Sequence, residues 1–191
     1  MTVPRFAIPA LATAAILQSL VIGWTVWDRA RLISGGREIR AAVVPVDPRD
    51  VFRGDYVVLG YGFSGRNDIA LPQGAREGDA VYVLLKRQGP NEWAQASVSF
   101  VQPETATQDE IAVKAIVESV RPGRSDGGGA VLGGLRYGIE RFYVPEGEGR
   151  EIEGLVRDQR VVAVLAVGAD GRMALKGLES DGKPIASEPA L

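Results

Sequence analysis

The sequence predicts a mainly β fold: a single N-terminal transmembrane helix followed by a compact β-rich domain, barrel- or sandwich-like, with one short helix. Three observations carry that prediction. No residue from Phe6 to Trp27 is charged. From Glu38 onward the chain divides into short Val- and aromatic-rich segments bounded by Gly, Pro, Asn or Asp, the mark of strands separated by turns. Only the stretch after Pro145 has helical spacing.

As a helix, residues 6–27 would span about 33 Å at about 1.5 Å per residue, which matches a bilayer's hydrocarbon core. Trp24 and Trp27 lie one helical turn apart near its end, as in an interfacial aromatic belt. Asp28-Arg29-Ala30-Arg31 then stops the span. A cleaved signal peptide fits less well, because the apolar run is long and no small-x-small site comes after it. The reading is therefore a retained anchor over 1–28, with the lipid bilayer as partner through residues 6–27. A flexible juxtamembrane linker is expected over 29–37, where Ser34-Gly35-Gly36 sits, and the β-rich domain over 38–191. Arg29, Arg31, Arg37 and Arg40 would hold the domain in the cytoplasm by the positive-inside rule. Anchors of this type often export the domain attached to them, and the expectation leans to an extracytoplasmic domain.

Strands are expected near 38–46, 55–62, 80–87, 93–101, 110–120, 131–137, 140–144, 160–168 and 172–179. The unbroken apolar run Val81–Leu85 predicts a central strand covered on both faces. Pro145-Glu146-Gly147-Glu148 suits a helix N-terminus, and Ile152, Leu155 and Val156 make one apolar stripe, predicting one or two turns. Pro122–Gly134 reads as a loop. A faint repeat links Arg53-Gly54-Asp55-Tyr56 to Glu77-Gly78-Asp79-Ala80, but Gly-Asp is a common turn before any strand.

Composition limits the chemistry. The chain has no His and no Cys, which excludes a disulfide framework, a thiolate nucleophile, a Cys/His zinc site and a Ser-His-Asp triad. Formal net charge is -2 and the basic residues are scattered, so nucleic acid is not expected as a partner.

The richest local pattern is the turn and strand at 47–61. Asp47 and Pro48 suit the first two positions of a type I turn. Gly54 supplies conformational freedom, and Asp55 starts a strand. Strand alternation puts Asp55, Val57, Leu59 and Tyr61 on one face, and Tyr56, Val58 and Gly60 on the other. If Leu59 marks the core, Asp55 sits on its rim with Arg49, Arg53 or Arg66 as partner, and Tyr56 faces solvent or another molecule. A competing reading gathers Asp47, Asp50 and Asp55 into an oxygen-ligated cation site or an acid/base pair. The interleaved Arg49 and Arg53 favour the turn-and-ion-pair reading. A second run, Leu135–Glu146, mixes aromatics with charges of both signs, as either an edge strand or a recognition surface would.

Gly54-Asp55-Tyr56, Leu59 and Tyr61, coming after Val46-Asp47-Pro48-Arg49-Asp50, resemble the motif of the GDYXXLXY family of membrane-anchored proteins. Tyr137–Glu146 is similar to a second block of that family. The resemblance implies a bacterial, membrane-anchored domain and carries over no catalytic residue and no cofactor. The candidate motif and binding residues are Asp47, Arg53, Gly54, Asp55, Tyr56, Leu59, Tyr61, Glu140, Arg141 and Tyr143, with no metal ligand among them.

The function expected is a non-enzymatic binding or assembly module that presents the motif face to a membrane or envelope protein. The alternative is a membrane-anchored Ser/Lys hydrolase of the signal-peptidase type, built on Ser64 and Lys86. It requires Asp55, Ser64 and Lys86 to line one cleft.

Overall fold

A computed structural model of the chain describes residues 7–45, 56–64, 71–122, 130–144 and 149–187. Helix α1 spans Ala7–Gly35 and is apolar on every side through Trp27. Leu11, Ile16, Leu17, Leu20, Val21, Ile22 and Trp24 are all well exposed along it, so the fold leaves this part of the helix uncovered. A helix that is hydrophobic all round needs an apolar environment. The segment Leu11–Gly35 is long and apolar enough to cross a membrane.

Eleven strands and one further helix come next among the described residues: β1 Arg37–Val44, β2 Tyr56–Val58, β3 Gly60–Tyr61, β4 Ala80–Arg87, β5 Trp93–Ser99, β6 Glu110–Pro122, β7 Ala130–Arg136, β8 Arg141–Tyr143, α2 Gly149–Arg157, β9 Val161–Val167, β10 Met173–Ser180 and β11 Lys183–Ser187. They form a five-stranded sheet in the order β11-β10-β9-β1-β3, a four-stranded sheet β5-β4-β6-β7, and a two-stranded ribbon β2-β8. Every pairing is antiparallel. All three sheets contribute to one core, in which Ile39 and Ala41 of β1, Val83 of β4, Val113 of β6, Leu165 of β9 and Phe142 of β8 are buried together. Alternation explains this directly: in β1, residues 39, 41 and 43 point inward while 38 and 40 face out.

Most predicted strands are present with small boundary shifts, and so is the short helix, which buries Ile152 and Val156. The single strand expected at 55–62 instead divides into β2, which pairs with β8, and β3, which pairs with β1 in a different sheet. Three further expectations need correction. The stretch 29–37 is not a flexible joint: α1 stays helical to Gly35, and its end lies on the outer face of the five-stranded sheet. There Leu32 packs with Ala166 and Ala174. Arg172, at the start of the β9–β10 hairpin's return strand, donates two hydrogen bonds to the Asp28 carboxylate. The close approach requires Gly36, where a Cβ would stand 2.6 Å from the Leu32 carbonyl oxygen and 3.1 Å from the Ala166 Cβ.

The second correction concerns β4. It is central in its sheet, yet only Val81, Val83 and Leu85 are buried, with Tyr82 and Leu84 half-exposed. Burial on both faces occurs instead on β9, where the end of α1 covers the second side. The third is an additional strand. β11 lies outside the expected set, although Asp181-Gly182 marks it: both residues have positive φ, 51° and 74°, as a two-residue hairpin turn demands.

Candidate functional site

Asp47, Arg53, Gly54 and Asp55 lie outside the described residues, as do the proposed partners Arg49 and Arg66 and the carboxylate Asp50. The rest of the candidate set comes together in one place. β2 and β8 pair with Tyr56 opposite Tyr143, Val57 opposite Phe142 and Val58 opposite Arg141. The two motif blocks, far apart in the chain, are thus each other's partners.

The inner side of this ribbon is structural. Val57, Leu59 and Tyr61 are each 1% exposed, in accord with the alternation. Burying a side chain of this size contributes about 1.5–3 kcal/mol, so the motif holds the fold. The Leu59 N–H donates to the Glu140 carbonyl at 2.8 Å. The Tyr61 hydroxyl donates to the Ile139 carbonyl at 2.8 Å. The Tyr61 ring stacks on Phe63, and Phe63 meets Tyr137 edge-on, both at 5.2 Å between centroids. Gln95 joins this cluster by donating to the Phe63 carbonyl and to the Tyr137 hydroxyl. Burial pushes the Tyr61 hydroxyl far above the usual phenol range, and the nearby Glu140 charge adds to the effect. Tyr137 is pushed up by burial as well, with the Gln95 bond opposing and Glu140 adding.

Glu140 has a specific local task. Its carboxylate accepts the backbone N–H groups of Tyr137 and Gly138, closing a turn in which Gly138 takes φ of 80°. Two donors that would otherwise lack partners are satisfied by one side chain, a strong arrangement because the acceptor is charged. In the sequence this role shows only as charge among aromatics; the Gly two residues before Glu140 is the available signal.

The outer side of the ribbon is different. Tyr143 is 70% exposed and Val58 42%, while Tyr56 is half-buried. The Tyr56 and Tyr143 rings lie 5.9 Å apart, and the Arg141 guanidinium stands 5.5 Å from the Tyr56 centroid. Cation–π geometry at that distance holds Arg141 across the ribbon. Tyr56 is therefore not a lone solvent-facing residue but one member of an aromatic–cation face.

The Ser/Lys arrangement does not assemble among the described residues. The Ser64 hydroxyl accepts from the Tyr61 N–H and donates to the Tyr61 carbonyl, both at 2.9 Å, which closes the 3-10 turn Gly62–Ser64 after β3. Lys86 instead pairs with Glu110 at 2.8 Å, and that hydrogen bond holds the Glu110 carboxyl below its usual range. No hydrogen bond joins Ser64 to Lys86 among the described residues. No group of three metal-ligating side chains occurs there either. The Gly78-Asp79 half of the suspected repeat is a turn, with Gly78 at φ of 89° and the Asp79 carboxylate accepting the Arg76 N–H at 2.8 Å.

No curated protein matches this chain, and no solved structure matches it. A family model described as GDYXXLXY protein matches residues 18–178, the span that runs from within α1 through both paired motif blocks. The chain belongs to the GDYXXLXY protein family.

Proposed function

We propose that this chain is a membrane-anchored, non-enzymatic binding module of a bacterial envelope, and that the outer face of the β2–β8 ribbon contacts a protein partner at the membrane. One observation carries the reading: Tyr143, Val58, Tyr56 and Arg141 gather on one face while every neighbouring apolar residue of the ribbon is buried. Tyr and Arg are the residue types that concentrate binding energy in protein interfaces, since they offer large contact area with a polar handle. The engaged hydroxyl of Ser64 and the ion-paired Lys86 favour this reading over the hydrolase. The exposed apolar helix α1 supports the anchor.

In this reading the domain lies on the extracytoplasmic side. The chain has no native Cys, so a single Glu151→Cys substitution on the exposed side of α2 reports sidedness cleanly. Labelling by an impermeant maleimide in intact cells supports the assignment, and labelling only after lysis refutes it.

The binding face is tested by Tyr143→Ala and Arg141→Glu in the full chain. Loss of a specific crosslinked partner with unchanged melting supports the proposal. Retention of that partner by both variants sinks it.

A further inference from the structure

A groove of about 290 Å³ opens where α1 meets the domain. Its polar lining comes from Asp28 and Arg29 of α1, Lys114 of β6, Arg136 of β7 and Arg172 at the foot of β10. Four of these five side chains are cationic. Their engagement differs. Arg172 is held by Asp28 and Asp170 together. Arg136 shares Glu118 at 3.3 Å, in a pair more than half exposed on both sides, where such contacts are weak. Lys114 is half-buried and has no carboxylate partner among the described residues. Lys114 therefore brings to the groove a positive charge that no carboxylate among the described residues neutralises.

Its depth is set by the helix. Asp28, Arg29 and Leu32 come one to five residues after Trp27, about 1.5–7.5 Å along the axis. The headgroup layer on each side of a bilayer is about 5–7 Å thick, and interfacial Trp marks where it begins. Trp24 and Trp27 are in ring contact at 5.2 Å, with the Arg31 guanidinium 5.4 Å from the Trp27 ring. An exposed apolar pair is tied to the turn that precedes Arg172. Phe100 is 45% exposed and Val101 77%, and the next residue, Gln102, donates to the Ala169 carbonyl in the β9–β10 turn beside Arg172. A basic groove at headgroup depth, with an exposed Phe-Val pair next to the contact on the β9–β10 turn, suits a surface resting on lipid.

We propose that this groove binds a phosphate ester anion, with Lys114 and Arg136 as its principal cationic contacts, and that the ester is the headgroup of an anionic phospholipid. The site rests on the anchor reading but not on the β2–β8 face, so either can fail alone.

The test uses the full chain in mild detergent, offered equal amounts of phosphatidylglycerol and phosphatidylcholine and read by native mass spectrometry. A second arm offers glycerol 3-phosphate alone. Each basic residue near a membrane surface is worth roughly 1 kcal/mol, a factor of about five. The wild type should retain phosphatidylglycerol over phosphatidylcholine by at least about five-fold, and Lys114→Ala/Arg136→Ala should abolish that preference with melting unchanged. Saturable binding of glycerol 3-phosphate with no lipid preference would keep the phosphate chemistry but overturn the lipid assignment. Equal retention of both lipids and no binding of glycerol 3-phosphate would overturn the proposal. A preference that survives the double substitution would overturn the assignment of Lys114 and Arg136.

Discussion

The hydroxyl of Tyr61 donates to the backbone carbonyl of Ile139, joining the last residue of one motif to the turn that opens the other. Both groups are buried, so the bond has no water to replace it.

Tyr61→Phe keeps the ring and its stacking on Phe63 but leaves that carbonyl unpaired. The expected loss is about 1–2 kcal/mol in urea unfolding of the full chain in mild detergent. Tyr143→Phe, at an exposed hydroxyl, should cost almost nothing. Equal stability of the wild type and Tyr61→Phe would remove the bond from the account.

Alkaline pH should act through the same cluster. The hydroxyls of Tyr61 and Tyr137 titrate higher in the folded protein than in the unfolded chain, where tyrosine ionises near about pH 10. Their contribution is fully present below that value and is lost as pH rises above it. The expected slope is up to about 1.4 kcal/mol per pH unit for each tyrosine. Unfolding between about pH 8 and pH 11 measures it, and Tyr61→Phe should remove roughly half of the slope. An unchanged slope in that variant would show that Tyr61 is not the titrating group.

Gly36→Ala places a Cβ against the Leu32 carbonyl, the Ala166 Cβ and the Val167 nitrogen at once. Backbone on two sides cannot yield easily, so a loss of about 1–3 kcal/mol is expected. Gly35→Ala, where nothing lies within 4 Å, is the control and should be neutral or better. Faster hydrogen exchange at the end of α1 in Gly36→Ala, and not in Gly35→Ala, would locate the effect at the helix–sheet junction.

Lys86→Ala should leave partner binding intact, because its ammonium is engaged by Glu110 away from the β2–β8 ribbon. Ser64→Ala should also bind normally while losing about 1 kcal/mol, since the Tyr61 N–H loses its side-chain acceptor. Loss of function in both variants without loss of fold would revive the hydrolase reading.

The strands are legible in the sequence because alternation is a local signal. Val57, Leu59 and Tyr61 declare their inward side by spacing alone, and Ile152 and Val156 do the same for α2. The connections between distant segments are not legible. Nothing in Tyr56 or Tyr143 announces that they face each other, and the Arg141 position over Tyr56 depends on that register. The end of α1 departs from expectation for a related reason: Ser34-Gly35-Gly36 has the composition of a joint. Packing of Leu32 on Ala166 and Ala174 overrides that propensity, and Gly36 serves close approach rather than flexibility. The β11 hairpin does have a local signal, in the turn residues Asp181-Gly182.

The central claim is that the motif strand divides into an inward face that holds the fold and an outward face that binds. A photo-crosslinking amino acid at position 143, in the full chain and in native membranes, tests it most directly. A discrete crosslinked protein is expected at position 143, disappearing with Arg141→Glu and absent when the crosslinker stands at the exposed position 151 on α2. Crosslinking at 151 equal to that at 143, or none at 143, would contradict the claim.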